Sequence, residues 1–287
     1  MSVRETIPRP DPPASGDTGT TTKSKSEMRF GFGRNWQRFL RLLNPARIYL
    51  AEESLREMLN TENLQEKIFL DIGSGSGIFS LAAMRLGAAR VHSFDYDPRS
   101  VACTEKLKQR YFADAANWTV EQGDVLDEKY LDGLGPFDVV YSWGVLHSTG
   151  HMWRALENAA LPVARGGKLL IAIYNDQRWL SRYWKVVKIL YNSNVFLRLA
   201  LILVYSPYFL GVRFIVRALT GRLKVERGMS LWYDMKDWLG GLPFEVAKPE
   251  AILEFYRRRG FSLQKMKTCG GRNGCNEFVF LREHDLR

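Results

Sequence analysis

An α/β fold with an open, largely parallel sheet is what this sequence predicts, on three observations. First, Leu70-Asp71-Ile72-Gly73-Ser74-Gly75-Ser76-Gly77 closes the short apolar run of residues 67–70 with an acid and a ladder of glycines. Residues 78–86 then keep helical spacing, so the glycines stand between a buried strand and a helix N-terminus. Second, Ala89-Arg90-Val91-His92-Ser93-Phe94-Asp95 reads as another strand ending in an acid, and Asp97-Pro98 starts the helix after it, Asp97 as N-cap and Pro98 in the first turn. Third, 287 residues, 46% of them hydrophobic, suffice for one large α/β domain with an elaboration.

The glycine turn lets backbone approach a ligand closely and points to a nucleotide-type cofactor. A dinucleotide fingerprint would want its third glycine at position 78, where the chain has Ile78, and would not favour Asp71 beside a pyrophosphate. The turn therefore argues against NAD and FAD.

The pattern Asp-x-Gly-x-Gly-x-Gly over Asp71, Gly73, Gly75 and Gly77 resembles motif I of class I S-adenosylmethionine-dependent methyltransferases, and three later segments match that family in order and spacing. Asp95 falls 22 residues after Gly73, where the resemblance implies a carboxylate accepting both ribose hydroxyls. Glu121-Gln122-Gly123-Asp124-Val125 looks like the family's next acidic turn, Asp124 accepting the adenine amine and Val125 offering a backbone amide. Phe137-Asp138-Val139-Val140-Tyr141-Ser142 and Gly166-Gly167-Lys168-Leu169-Leu170-Ile171 are similar to its fourth and fifth strands. The resemblance covers residues 65–175, and is nearest to small-molecule methyltransferases of the ubiquinone-biosynthesis O-methyltransferase type and of bacterial glycan and secondary-metabolite pathways.

The resemblance implies a Rossmann-like fold with a seven-stranded sheet, its last strand antiparallel, and a helical insertion after strand five. It implies S-adenosylmethionine as cofactor, S-adenosylhomocysteine as product, and no metal. Its cofactor site would comprise Arg34, Trp36, Asp71, Gly73, Ser74, Gly75, Gly77, Asp95, Tyr96, Asp124, Val125, Ser142 and Trp143. Arg34 would pair with the cofactor's carboxylate and Trp36 cover the methyl donor, or the two simply anchor the N-terminal helix. Taken singly, Asp95 and Asp124 also read as ordinary strand-end and turn residues; the joint spacing carries the cofactor reading.

Methyl transfer from a sulfonium is an in-line displacement, so the protein supplies positioning, water exclusion and, for a hydroxyl acceptor, a base. His147, Tyr174 and Asp176 are the catalytic candidates. His147 is the first choice as base because imidazole titrates near neutrality; the alternative is a helix-start histidine making local bonds. Asp176 reads equally as a loop or N-cap acid. His151 follows His147 by four residues, but Ser148-Thr149-Gly150 disfavours one continuous helix, which argues against a metal pair. Trp232, Tyr233, Asp234, Asp237 and Trp238 wall an acceptor pocket or join insertion to core.

The expected divisions are a disordered tail at 1–28, without an apolar signal region, then a helical segment at 29–66, the cofactor core at 67–176, a basic and apolar helical cap at 177–248, and a closing helix and strand pair at 249–287. The last helix is expected near Pro249, with strands at 261–267 and 276–281. Cys103, Cys269 and Cys275 form no metal-ligand spacing and no even disulfide set, consistent with a cytoplasmic chain. Of the formal charge of +10, residues 177–228 hold ten Lys or Arg against the single acid Glu226.

Residues 179–191 read as an amphipathic helix with Trp179, Leu180, Tyr183, Trp184, Val187 and Tyr191 on one face and Arg178, Arg182, Lys185 and Lys188 on another. Within 195–219 the longest uncharged run has 14 residues, too short to span a bilayer. Two readings stand: a cap with a solvated basic side, or a lid over a lipid-like or anionic acceptor that touches anionic membrane through residues 179–219. Nucleic-acid methylation is the weaker partner reading, since strand four ends Ser142-Trp143-Gly144-Val145, without an Asn/Asp-Pro-Pro-aromatic motif or a cysteine nucleophile. A non-catalytic cofactor-binding scaffold is the remaining alternative. The sequence leaves the oligomeric state open.

Overall fold

Strands without polar alternation need cover on both faces, and this chain supplies it. The computed structural model describes residues 32–212, 231–270 and 274–284. One seven-stranded sheet has the order β3-β2-β1-β4-β5-β7-β6, with β1 (Ile68–Ile72), β2 (Arg90–Asp95), β3 (Trp118–Gln122), β4 (Phe137–Trp143), β5 (Val163–Tyr174), β6 (Phe261–Lys267) and β7 (Cys275–Arg282). Strands β1 to β5 pair in parallel, and β7 runs antiparallel to both β5 and β6. This is the Rossmann-like arrangement the sequence predicts.

Alternate side chains of the central strands enter two separate cores. Phe69, Val91, Val139 and Leu170 pack with Leu55, Met58, Leu81 and Leu107, which belong to α2 (Pro45–Leu59), α3 (Ile78–Arg85) and α4 (Pro98–Tyr111). Leu70, Ile72, Val140 and Ile171 face the other way, onto Leu131, Leu156, Ile252 and Tyr256 of α5 (Glu128–Gly133), α6 (Met152–Ala160) and α10 (Pro249–Arg257). The N-terminal α1 (Phe32–Arg41) precedes α2. Caps fix several helix starts: Asn44 accepts from Arg47 N ahead of Pro45, Asp97 from Arg99 N ahead of Pro98, and Asp127 from Tyr130 N. Each such cap is worth about 1 kcal/mol.

A third cluster lies past the carboxyl end of β5. It joins Trp184, Val187 and Tyr191 of α7 (Trp179–Ser193) to Met235 and Leu239 of α9 (Leu231–Gly240), with Phe209, Leu242 and Phe244. Between them α8 (Val195–Ser206) buries none of its residues. Three expectations for α7 are corrected. Trp179 and Tyr183, expected on the packed face, are 72% and 45% exposed, whereas Lys188, expected on the solvated face, is fully buried. Position 188 follows Trp184 by four and precedes Tyr191 by three, so it shares their stripe. The expected tail at 1–28 and the basic residues from Arg213 to Arg227 lie outside the described residues. Among the described residues, no helix is long and apolar enough to cross a membrane.

Candidate active site

The sheet order reverses between β1 and β4, and a ligand crevice opens at such a point beyond the strands' carboxyl ends. There the glycine turn leaves β1. Gly73 N and Ser74 N both donate to the Phe94 carbonyl, at 2.9 and 3.0 Å, tying the exits of β1 and β2 together. Gly73 has φ +74, and a Cβ there would come within 2.4 Å of the Val145 side chain. Gly75 has φ +58 and lies under the Trp36 ring, which a Cβ would approach to 3.0 Å. No L side chain suits either position. Ser74 Oγ and Thr104 Oγ1 lie 2.9 Å apart and anchor the turn to α4.

Two acids flank the turn in different settings. Asp71 is buried at 2% exposure and accepts from Ser80 Oγ of α3. Ser80 in turn accepts from Ser93 Oγ at 2.7 Å, and Ser93 from Trp118 Nε1 at 2.9 Å. Burial pushes the Asp71 carboxyl up to about 7; the charge of Asp95 adds to the rise and the Ser80 bonds oppose it. Its carboxyl is thus engaged with α3. Asp95 spans the turn: Oδ2 accepts from Gly75 N and Oδ1 from Asp97 N, each at 2.9 Å. Burial raises it to about 6, against the pull of those two amides. Each carboxylate oxygen has a second lone-pair direction for a hydroxyl.

The other expected cofactor residues are distributed around this pair. Asp124 Oδ1 accepts from Leu126 N at 2.9 Å, and Gly123 N donates to the Asp95 carbonyl at 3.1 Å, holding the β3 exit beside β2. Val125 is buried with its carbonyl bonded to Asn158 Nδ2, while Tyr96 is exposed. Ser142 and Trp143 turn their side chains to the sheet instead: Ser142 Oγ donates to the Ile72 carbonyl at 3.2 Å and Trp143 Nε1 to Glu277 Oε1 at 3.1 Å. Gly33 N donates to Asp97 Oδ2 at 3.1 Å, which brings α1 and Trp36 over the turn. The Arg34 side chain lies outside the described residues, as do those of Trp232, Tyr233, Asp234 and Asp237.

The catalytic candidates stand beyond β4 and β5. His147 sits in a 3-10 turn (Leu146–Ser148), fully buried, its ring 3.9 Å from that of Tyr174. Its Nδ1 accepts from Tyr174 N at 3.3 Å, and the ring is also bonded to the Ala172 backbone. Burial lowers its pKa to about 3. A ring held neutral by burial is a weak proton acceptor, which disfavours His147 as the base. Asp176 is half-buried and accepts through Oδ1 from Arg178 N at 2.8 Å. Tyr174 packs between His147, Trp238 at 5.6 Å and Phe244 at 5.2 Å.

Lys188 is buried beside Trp238 and Phe244. Its Nζ lies 4.8 Å over the Trp238 and Phe244 rings and donates to the Trp238 carbonyl. The signal for that burial is present in the helical stripe it shares with Trp184 and Tyr191.

Sheet order, glycine turn and the paired acids resemble those of S-adenosylmethionine-dependent class I methyltransferases. Residues 70–169 match the family described as a methyltransferase domain. Two curated ribosomal protein L11 methyltransferases are similar over short stretches. That of Methylococcus capsulatus is 50% identical over 82 residues, 29% of this chain and 25% of that protein. That of Acinetobacter baumannii is 31% identical over 119 residues, 42% of this chain and 31% of that protein. The chain therefore spans less than a third of the length of these relatives. Among solved structures, an O-methyltransferase family protein from Burkholderia thailandensis superposes with a TM-score of 0.53 at 16% identity, covering 88% of this chain and 59% of that one. The N-methyltransferase NodS from Bradyrhizobium japonicum WM9, in complex with S-adenosyl-l-homocysteine, gives 0.50 at 16%, covering 89% and 100%. These two likenesses concern the fold.

Proposed function

We propose that the chain transfers the methyl group of S-adenosylmethionine to a hydroxyl oxygen of an amphipathic or apolar small molecule held beyond β4 and β5. The observation that carries the cofactor half is Asp95 lying across the glycine turn, bonded to Gly75 N at 2.9 Å, with Trp36 above the same glycine. The acceptor half rests on the aromatic cluster of Tyr174, Trp184, Trp238 and Phe244 beyond the end of β5, the kind of surface that borders small-molecule sites. The fold shared with an O-methyltransferase family protein is in keeping with it. The test is turnover of a lipid and metabolite extract with labelled methyl donor; a chain that neither binds the donor nor labels any product would sink the proposal.

Asp176 takes the role of base in this reading, with His147 and Tyr174 shaping the pocket. Asp176→Asn is expected to lower kcat by roughly 10²-fold or more and leave donor affinity intact. Single-turnover kinetics on the identified acceptor, with calorimetry for the donor, make the comparison. Near wild-type turnover would remove Asp176 from the chemistry.

A second reading, contact with an anionic membrane, is favoured by a specific observation. On α8, Phe196 is 81% exposed and Leu203 75%, and on α7 exposed Arg182 and Lys185 stand beside exposed Val186 and Ile189. Exposed apolar side chains with exposed cations on the neighbouring helix suit a headgroup region, each cation contributing about 1 kcal/mol near the surface. Arg182→Glu/Lys185→Glu and Phe196→Asp/Leu203→Asp are each expected to cut cosedimentation with acidic vesicles at least tenfold, more so at low salt. Equal, negligible binding of the wild type to acidic and neutral vesicles would end this reading. Lys188 has no place in that test, being buried.

A further inference from the structure

Buried donors that lack acceptors concentrate beyond the carboxyl ends of β4 and β5. Among the described residues, the buried side-chain nitrogens without a hydrogen-bond partner are His147 Nε2, Trp184 Nε1 and Trp238 Nε1. All three belong to one aromatic cluster. The Trp184 and Trp238 rings meet edge to face at 5.4 Å, Trp238 meets Tyr174 at 5.6 Å, and Tyr174 lies 3.9 Å from His147. The two indole Nε1–H groups are donors, whereas the His147 ring is also bonded to the Ala172 backbone, so the unmatched donors of the cluster are those of Trp184 and Trp238. Buried N–H groups are costly to leave unmatched, so two indole donors in one cluster call for an acceptor that the surrounding side chains do not provide.

Charge and shape narrow what that acceptor is. Lys188 places a cationic nitrogen 4.8 Å from the Trp238 and Phe244 rings inside the same cluster. Trp184 and Trp238 also line a cavity of about 10 Å³ with Tyr174, Phe244 and Ser181, room for about one oxygen atom. A cationic ligand group would be repelled there, and a neutral hydroxyl would bring a proton of its own to a ring of donors. An anionic oxygen brings lone pairs alone and forms the stronger, charge-assisted bonds. The aromatic rings then border the apolar remainder of the ligand.

We propose that this cluster is a subsite for the anionic oxygen group, carboxylate or phosphate, of an aromatic or apolar ligand. The further statement that this ligand is the methyl acceptor rests on the methyl-transfer reading above. The methyl acceptor is then an acid, held by its anionic end at the junction of α7 and α9 with the core. The buried Lys188, which a solvated cap would not need, becomes a specificity-determining residue.

The experiment is a titration of the indole ¹H–¹⁵N spectrum of the whole chain, saturated with S-adenosylhomocysteine, with benzoate, phenyl phosphate and benzyl alcohol. Trp184→Phe and Trp238→Phe assign the two signals and remove one donor each while keeping a ring. The expected result is that one of the two anions shifts both signals and that benzyl alcohol binds at least tenfold more weakly, with the responding anion telling carboxylate from phosphate. Each Phe variant, and Lys188→Met, should weaken that anion on the order of tenfold. The inference is overturned if neither anion moves the two signals, if benzyl alcohol moves them equally, or if both Phe variants retain full affinity. The wild-type titration decides even where a variant fails to fold. Calorimetry with S-adenosylmethionine on the same samples separates the two claims. Cofactor binding without anion binding refutes the subsite alone, whereas anion binding without cofactor binding refutes the methyltransferase reading and leaves the subsite standing.

Discussion

Asp95→Ala is expected to weaken S-adenosylmethionine binding by about 1.5 to 3 kcal/mol, the worth of hydrogen bonds to a charged group. That corresponds to an affinity loss of roughly 10- to 150-fold. Asp95 already accepts from Gly75 N and Asp97 N, so its loss also releases the turn that would cradle the donor. The pH dependence follows from its raised pKa of about 6. On the proposed role, only the carboxylate would accept from both ribose hydroxyls, so wild-type affinity should be level above that pH and fall as pH drops through 6. Protonation of Asp95 in the free chain competes with the cofactor. The alanine variant should show neither the affinity nor this pH dependence. Calorimetry from pH 5 to 8 reads both, and an unchanged affinity would take Asp95 out of the site.

Asp71→Asn is expected to stabilise the chain at pH 8 and to flatten its stability profile. In the folded state Asp71 is raised from 3.8 to about 7, so the native chain holds a proton there that the unfolded chain has released. The associated stability is fully present below the unfolded pKa and is lost as pH rises through 7. A shift of that size is worth several kcal/mol. Asparagine keeps an oxygen for Ser80 Oγ and carries no charge, but its amide N–H groups need acceptors in the same place, which offsets part of the gain. The net expectation is about 1 to 3 kcal/mol at pH 8, shrinking toward pH 4. Denaturant unfolding at the two pH values is the measurement. A variant less stable than wild type at pH 8 would show that the ionised carboxylate is accommodated after all.

What could be read from the sequence was what short-range chemistry dictates. The glycine turn, the Asp97-Pro98 start of α4, the Pro249 start of α10 and the extent of β6 each depend on a few neighbouring residues, and the structure has them there. Positions that depend on distant partners were not accessible. That Val145 fills the space over Gly73, that Trp36 lies on Gly75, and that Ser142 and Trp143 bond to β1 and β7 are facts of packing between segments far apart in the chain. His147 shows the same limit. Its residue type suggested a base, but burial against Tyr174 sets its protonation, and no local pattern announces burial. Lys188 differs for a narrower reason: its charge suggests the solvated face, whereas the helical stripe it shares with Trp184 and Tyr191 places it inside.

The hydroxyl chain from Asp71 through Ser80 and Ser93 to Trp118 crosses β1, α3, β2 and β3. Asp71 is the register partner of Ser93 in the β1–β2 ladder. In apolar parallel strands, neighbouring Val, Ile, Leu and Phe residues are nearly interchangeable, so hydrophobic burial alone distinguishes poorly between alignments one residue apart. A slip of β1 by one position would swing the Asp71 carboxyl to the opposite face, away from Ser80, and strand it among aliphatic side chains at a cost of several kcal/mol. The polar thread through the core thus acts as a proofreading key during assembly. It admits the one strand alignment that also carries Gly73 and Gly75 to their places beside Asp95.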